Sequence, residues 1–323
     1  MAWRWLPWLL GACTGLALLL LQSAMQSGKV PRNVQPEVRF QAMPTFVLKH
    51  NSKAGGTFSR TLLKAVFKFN PSKKALWKII DDDNALFPND KKKNFVAVLM
   101  RNPCAWNVAW ANECPTKAWD FGRPTFAANP LGPMGYLERH TTDTELRNWM
   151  LNARSPEGLG VISFYLWQSM VCPKCWGWHR KVKEGLNPKE GEHCNSSHRA
   201  QQDMAVMNPQ SLAHCWIFQE TLMEDMRVCL TAFEASHPAA ADSVRWDLFE
   251  KAAANQSGEA LFFERDWSVA RWAAPSLQYR RHKPCEEHFR DPAMRQIVRQ
   301  SDAHLFEKFG YSDCCAPSSR EIW

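Results

Sequence analysis

A site that grips a phosphate or sulfate needs three things. Glycines let the backbone come close, successive N–H groups point at the anion, and a fixed cation stands nearby. The run His50-Asn51-Ser52-Lys53-Ala54-Gly55-Gly56-Thr57-Phe58 offers all three. Lys53 brings the full charge, and Gly55 and Gly56 bring access. Successive backbone N–H groups and a helix N-terminus can supply partial positive charge, and Thr57 can cap a following helix while bonding an oxygen. The lysine precedes the glycine pair, so the order is not that of a G-K-[ST] nucleotide loop. Taken alone, the run is equally compatible with an ordinary Gly-Gly turn.

A second fixed cation stands in Arg101-Asn102-Pro103, directly after the apolar run Phe95–Met100. Open α/β sheets bind ligands beyond the C-terminal ends of their strands, and a guanidinium there can fork onto a phosphate. The bland alternative is a surface arginine in a turn. His50 lies three residues before Lys53, at the mouth of the same loop. Its imidazole can take a hydroxyl proton near neutral pH, which makes it the first candidate for a general base. Glu220, after the apolar stretch Cys215–Phe218, is the fallback.

These residues act together only if strands and helices alternate. Thr45–Lys49 reads as a short strand and Phe58–Phe69 as a helix with Leu62, Leu63, Val66 and Phe67 on one face. Leu76–Ile80 reads as a second strand, Phe95–Met100 as a buried one and Cys215–Phe218 as another. Leu222–Phe233 has helical spacing, and Pro292–Phe309 reads as one closing helix capped by Gly310. The expected fold is α/β, with a central, mostly parallel sheet.

The start of the chain is of another kind. Residues 5–21, WLPWLLGACTGLALLLL, hold no charge. Seventeen residues in a helix span roughly 25 Å, enough for a thin bilayer of the secretory pathway. Arg4 precedes the stretch, so residues 1–4 are placed in the cytosol and the rest of the chain in the lumen. A cleaved signal peptide is the competing reading. It is disfavoured because Gln22-Ser23-Ala24-Met25 offers no clean A-x-A site. Residues 22–44, with Pro31, Pro36 and Pro44, read as a stem, and 45–323 as the globular lumenal domain.

With that architecture, the motifs resemble those of the membrane-anchored Golgi carbohydrate sulfotransferases. These enzymes use 3′-phosphoadenosine 5′-phosphosulfate (PAPS) and share a P-loop-like three-layer fold. His50-x-x-Lys53-x-Gly55-Gly56-Thr57 is most similar to the heparan sulfate 6-O-sulfotransferase form. Arg101-Asn102-Pro103 resembles the family's 3′-phosphate segment. Trp216-Ile-Phe-Gln-Glu220 resembles its strand and acidic residue, and Leu305-Phe-Glu-Lys-Phe-Gly-Tyr311 its C-terminal close. The resemblance implies a lumenal sulfotransferase with PAPS as co-substrate, no metal and no nucleic acid. The implied acceptor is a carbohydrate hydroxyl, with anionic polysaccharides first. It implies Lys53 at the leaving oxygens, the Ala54–Phe58 amides around the 5′-phosphate, Arg101 at the 3′-phosphate and His50 as base. One departure stands out. The family carries a serine eight residues after the arginine, where this chain has Ala109. Asn107, Asn112 or Arg280-Arg281 are the available substitutes. Failing them, the chain is a weak or inactive glycan- or nucleotide-binding protein on the same scaffold.

Of the 11 cysteines, Cys13 lies in the apolar stretch and ten face the lumen, where disulfides are the default. Cys172-x2-Cys175-x18-Cys194-x3-His198 also falls near zinc-ribbon spacing, so a metal site is the weaker alternative. The Asn195 and Asn255 sequons suit a lumenal fate. Arg180–Lys183 and Arg280–Lys283 are basic patches that fit an anionic glycan or a solvated face.

Composition sets outer limits. The hydrophobic share of 45% is too high for disorder, and a mean hydropathy of −0.41 is too low for several membrane spans. The net charge of +8 includes Arg4, Lys29, Arg32 and Arg39 against Glu37 in residues 1–44. That leaves 36 basic against 31 acidic residues in the globular part, too slight an excess to argue for nucleic acid.

Overall fold

A computed structural model describes residues 39–51, 54, 56–68, 76–80, 84–113, 142–152, 158–175, 194, 197–254 and 284–319. Four strands form one sheet: β1 (Phe46–Lys49), β2 (Trp77–Ile80), β3 (Phe95–Met100) and β4 (Cys215–Phe218). Their order is β2-β1-β3-β4, and every neighbouring pair is parallel. Phe46 faces Trp77 on one side and Phe95 on the other, and Ala97 faces Cys215. β1, β3 and β4 are buried along their whole length, which is why they read as unbroken apolar runs.

Helices connect and flank the strands. Among them are α1 (Gly56–Val66), α2 (Pro88–Lys93), α3 (Pro103–Glu113), α4 (Asp143–Asn152) and α5 (Val161–Leu166). They are followed by α6 (Ser197–Val206), α7 (Leu222–Ala235), α8 (Trp246–Ala254), α9 (Pro292–Ser301) and α10 (Ala303–Phe309). Helical side chains meet both faces of the sheet. On one, Phe233 of α7 sets its ring edge against Phe46 and Phe95 at 5.5 and 5.8 Å, and Cys229 is bonded to Cys215. On the other, Phe309 of α10 packs on Trp216 at 4.7 Å, and Tyr165 of α5 lies 5.8 Å from the Lys49 ammonium.

Residues 5–21 lie outside the described residues, among which no helix is long and apolar enough to cross a membrane. The end of the stretch read as stem is already engaged with the globular part. The Phe40 N–H donates to the Ser236 carbonyl, and its ring meets His214 at 5.4 Å.

The closing helix differs from expectation. It is broken at Asp302 into α9 and α10, and Gly310 ends α10 at a left-handed φ of 65°. The break has a tertiary cause. Asp302 is buried, and its Oδ1 accepts from the Ser163 N–H at 3.0 Å and the Ser163 hydroxyl at 2.7 Å, in the first turn of α5. Gly160 N–H donates to Ser301 O at 2.7 Å, and a Cβ on Gly160 would overlap the Asp302 carboxylate. A buried carboxylate at the start of α5 gains both from these hydrogen bonds and from the helix dipole. Asp302→Ala should lower stability by about 2–3 kcal/mol in urea unfolding, because two buried donors lose a charged acceptor. Asp302→Asn, which keeps an acceptor oxygen, should lose only about 1 kcal/mol. Equal losses from the two would remove the charge from the explanation.

Candidate functional site

The strand order fixes where a ligand can enter. From β1 the chain passes through α1 to β2 on one side, and from β2 it returns through α2 to β3 on the other. The connections leaving β1 and β3 therefore diverge and open a crevice beyond the C-terminal ends of these two strands. The loop that begins at His50 forms one lip. Arg101 and Asn102 form the other.

On the first lip, the His50 N–H donates to Ile80 O of β2 at 2.9 Å, so the chain keeps strand pairing up to His50. Asn51 then turns inward, and its Nδ2 donates to Leu99 O of β3 at 2.8 Å, across the crevice. The Ala54 N–H donates to Asn51 O at 3.2 Å, so this amide is engaged within the turn rather than offered to an anion. Helix α1 starts at Gly56. Gly56, Thr57 and Phe58 thus supply its first three N–H groups, which have no acceptor within the helix. The His50 imidazole lies directly on Gly56: a Cβ there would overlap ring atoms Nε2 and Cδ2. Only glycine lets the imidazole sit at the head of the helix. Ser52, Lys53 and Gly55 lie outside the described residues.

On the second lip, Arg101 is partly buried. Burial lowers its guanidinium pKa, while the neighbouring Glu220 and Tyr311 oppose that shift. Glu220 Oε1 accepts the Asn102 N–H at 2.7 Å, tying the end of β3 to the turn after β4. Burial raises the Glu220 carboxyl above its usual 4.5; the Asn102 hydrogen bond and Arg101 pull the other way without winning. Tyr311 is buried, and desolvation with nearby Glu220 and Asp225 raises its phenol well above the usual 10. Asp225 holds the turn after β4, accepting from the Phe218 N–H at 3.0 Å and the Thr221 hydroxyl at 2.5 Å.

Four buried polar atoms near these strand ends have no hydrogen-bond partner among the described residues. They are Asn51 Oδ1, Gln219 Oε1, Glu220 Oε2 and Tyr311 Oη. Burying polar atoms unmet costs free energy, so the cluster is fit to receive polar groups from a ligand or from water.

The Glu220 shift gives a test with a defined sign. The folded carboxyl holds its proton more tightly than the unfolded one. Stability attributable to Glu220 is therefore full below about pH 4.5 and declines as pH rises through the folded pKa. Glu220→Gln keeps an oxygen for Asn102 and removes the titration. The variant should gain stability relative to wild type as pH rises from 4.5 to 7 in urea unfolding. A stability difference that does not change with pH would contradict the raised carboxyl.

Other expected residues fall differently. Asn102 is fully buried and structural: its Oδ1 caps Cys104 N–H at 2.9 Å, and its Nδ2 donates to the carbonyls of Asp313 and Ala316. Ala109 is buried in α3, and Asn107 donates to Pro103 O within the same helix at 2.8 Å. The Asn112 side chain and Arg280-Arg281 lie outside the described residues, as do the sequon asparagines and both basic patches.

The cysteine expectation resolves in favour of disulfides. Cys104–Cys314, Cys175–Cys194, Cys215–Cys229 and Cys285–Cys315 are paired. The zinc alternative fails at Cys175 and Cys194, whose sulfurs are bonded to each other, and His198 pairs with Gln202 at 2.9 Å. Cys172 remains a thiol, 2.9 Å from the Cys175 sulfur.

Three members of the site escaped the sequence reading. Asn51 carries no signal of its own within the run His50–Phe58. Tyr311 appeared only as part of a C-terminal pattern. Lys49 ends β1 fully buried, with its ammonium donating to Asn84 O at 2.9 Å. A lysine closing an otherwise apolar strand was the available signal, since such a residue must find partners inside.

No family model, curated protein or solved structure matches this chain.

Proposed function

We propose that the chain is a PAPS-dependent O-sulfotransferase of the Golgi membrane, a single-pass type II protein acting on a carbohydrate hydroxyl. Anionic polysaccharide is the leading acceptor class. The observation that carries this reading is the pairing of lips at one crevice. His50 sits on the first residue of α1, and Arg101 leaves the adjacent parallel strand. A base, a helix N-terminus and a guanidinium around one switch point suit the transfer of a charged group between two oxygens.

In this proposal the acceptor hydroxyl attacks sulfur in line as the bond from sulfur to the 5′-phosphate oxygen breaks. His50 takes the hydroxyl proton, Lys53 meets the charge on the leaving oxygen, and the first amides of α1 hold the 5′-phosphate. Arg101 binds the 3′-phosphate, and Glu220 keeps the Arg101-Asn102 backbone in place and stands as the second base. PAPS binding by calorimetry, paired with radiosulfate transfer to desulfated polysaccharides, tests the whole. Arg101→Ala should weaken PAPS about tenfold or more, the worth of a charge-assisted pair. A full chain that neither binds PAPS nor transfers sulfate rejects the reading.

Buried Ala109 favours a second reading, a lumenal binding module on the same scaffold, because no hydroxyl is supplied at that position. Binding without transfer would select it.

A further inference from the structure

At the opposite end of the sheet, beside the N-terminal ends of β1, β3 and β4, lies a cleft of about 670 Å³. That volume is in the range of small-molecule sites. Arg39, Lys91, Lys92 and Lys93 line it, and no acidic residue does among the described residues. Asp90, on the same helix as the lysines, is turned away: it pairs with Lys78 at 3.5 Å and accepts the Phe87 N–H at 3.1 Å. Lys92 and Lys93 are exposed and form no ion pair among the described residues. The cleft also has an apolar side, made by Phe40, Leu86, Met170 and Leu212, with Phe87 exposed at the rim. His214 lines it as well. Its Nδ1 accepts the Val96 N–H at 2.9 Å, and its pKa is lowered to about 4 by burial and by Lys91. The ring is therefore neutral at pH 7, with its proton on Nε2.

We propose that this cleft is a second ligand site, for an amphiphilic anion: one compact anionic head on an apolar body. Its chemistry excludes other occupants. A polysaccharide would set hydroxyls against Leu86, Met170 and Leu212, which offer them no partner. A bare inorganic anion would leave the apolar wall unused. Residues 22–38, which lead directly to Arg39, carry Lys29 and Arg32 against Glu37 and so share the sign of the lysines. The site stands whether or not the crevice transfers sulfate.

The test is calorimetry on the full chain in phosphatidylcholine nanodiscs, with empty discs as blank. The probe is 1-naphthyl phosphate; inorganic phosphate lacks its body and 1-naphthol lacks its head. The phosphate ester should bind saturably at one site, and each fragment about tenfold more weakly or worse. Lys92→Gln/Lys93→Gln, which removes both charges on exposed positions without placing acids at the end of α2, should weaken the ester about tenfold or more with thermal unfolding little changed. Arg101→Ala should leave its binding intact. Unaltered binding in the lysine variant overturns the proposal, as does loss only in Arg101→Ala, which puts the probe in the crevice. Inorganic phosphate or 1-naphthol binding as tightly as the ester overturns it too.

Discussion

Replacing Gly56 by alanine should cut sulfate transfer about a hundredfold while leaving the fold as stable as before, or slightly more so. General base catalysis is commonly worth about 10²–10⁴ in rate, and the proposed base depends on this glycine. A Cβ at Gly56 would occupy the space of the His50 ring, so the imidazole must leave the head of α1. The helix tolerates the change, because alanine is at least as good a helix former as glycine at its first position. Loss of rate with no loss of stability separates a displaced base from general damage. His50→Ala should fall by a similar factor, and the double variant should be hardly worse than either single one, since both remove the same group. The readouts are single-turnover radiosulfate transfer and thermal unfolding. Wild-type transfer by Gly56→Ala would show that the ring contact has no catalytic consequence. Full transfer by His50→Ala would remove the base assignment altogether.

The same contact shows how far the sequence could be read. His50 and the glycine pair were visible because a strand, a Gly-Gly turn and an amphipathic helix follow one another within a short span. Arg101 was visible for a similar local reason, at the end of six apolar residues. The four strands were legible because three are buried on both faces and read as solid apolar runs. That Gly56 exists to seat His50 was not legible, because the need arises from a contact between side chain and backbone in three dimensions. Tyr311 belongs to the site through the left-handed turn at Gly310 and the packing of Phe309 on Trp216. Neither is local to His50 or Arg101. The break at Asp302 was hidden for the same reason: helical periodicity runs straight through it, and the partner that ends α9 is Ser163, 139 residues earlier. The raised acid of Glu220 likewise comes from burial, which spacing cannot supply. Pairing at Cys314-Cys315 was undecidable from sequence, since adjacent cysteines have the same reach.

The Cys104–Cys314 bond should prove the most consequential of the four, for stability and for the second lip of the crevice. It closes a loop of 210 residues, against 14 for Cys215–Cys229. On the chain-entropy account the long loop is worth about 5 kcal/mol and the short one about 3. Its position adds a local effect. Cys104 lies three residues after Arg101, and Asn102 between them donates to the Asp313 and Ala316 carbonyls at 3.0 and 2.9 Å. The C-terminal segment thus clamps the start of α3 by one covalent bond and two hydrogen bonds. Arg295 and Arg299 of α9 hold Asp313 in turn, at 3.3 and 3.4 Å. Cys285–Cys315 does not replace the clamp, because it ties the same segment to a different element. Cys104→Ser/Cys314→Ser should therefore lose about 2 kcal/mol more than Cys215→Ser/Cys229→Ser in urea unfolding. It should also bind PAPS more weakly, while the short-loop variant binds it normally. Equal stability losses with PAPS affinity unchanged in both would mean that the bond neither closes a costly loop nor holds Arg101. If affinity falls only in the first variant, the guanidinium is held by the far end of the chain, more than two hundred residues downstream.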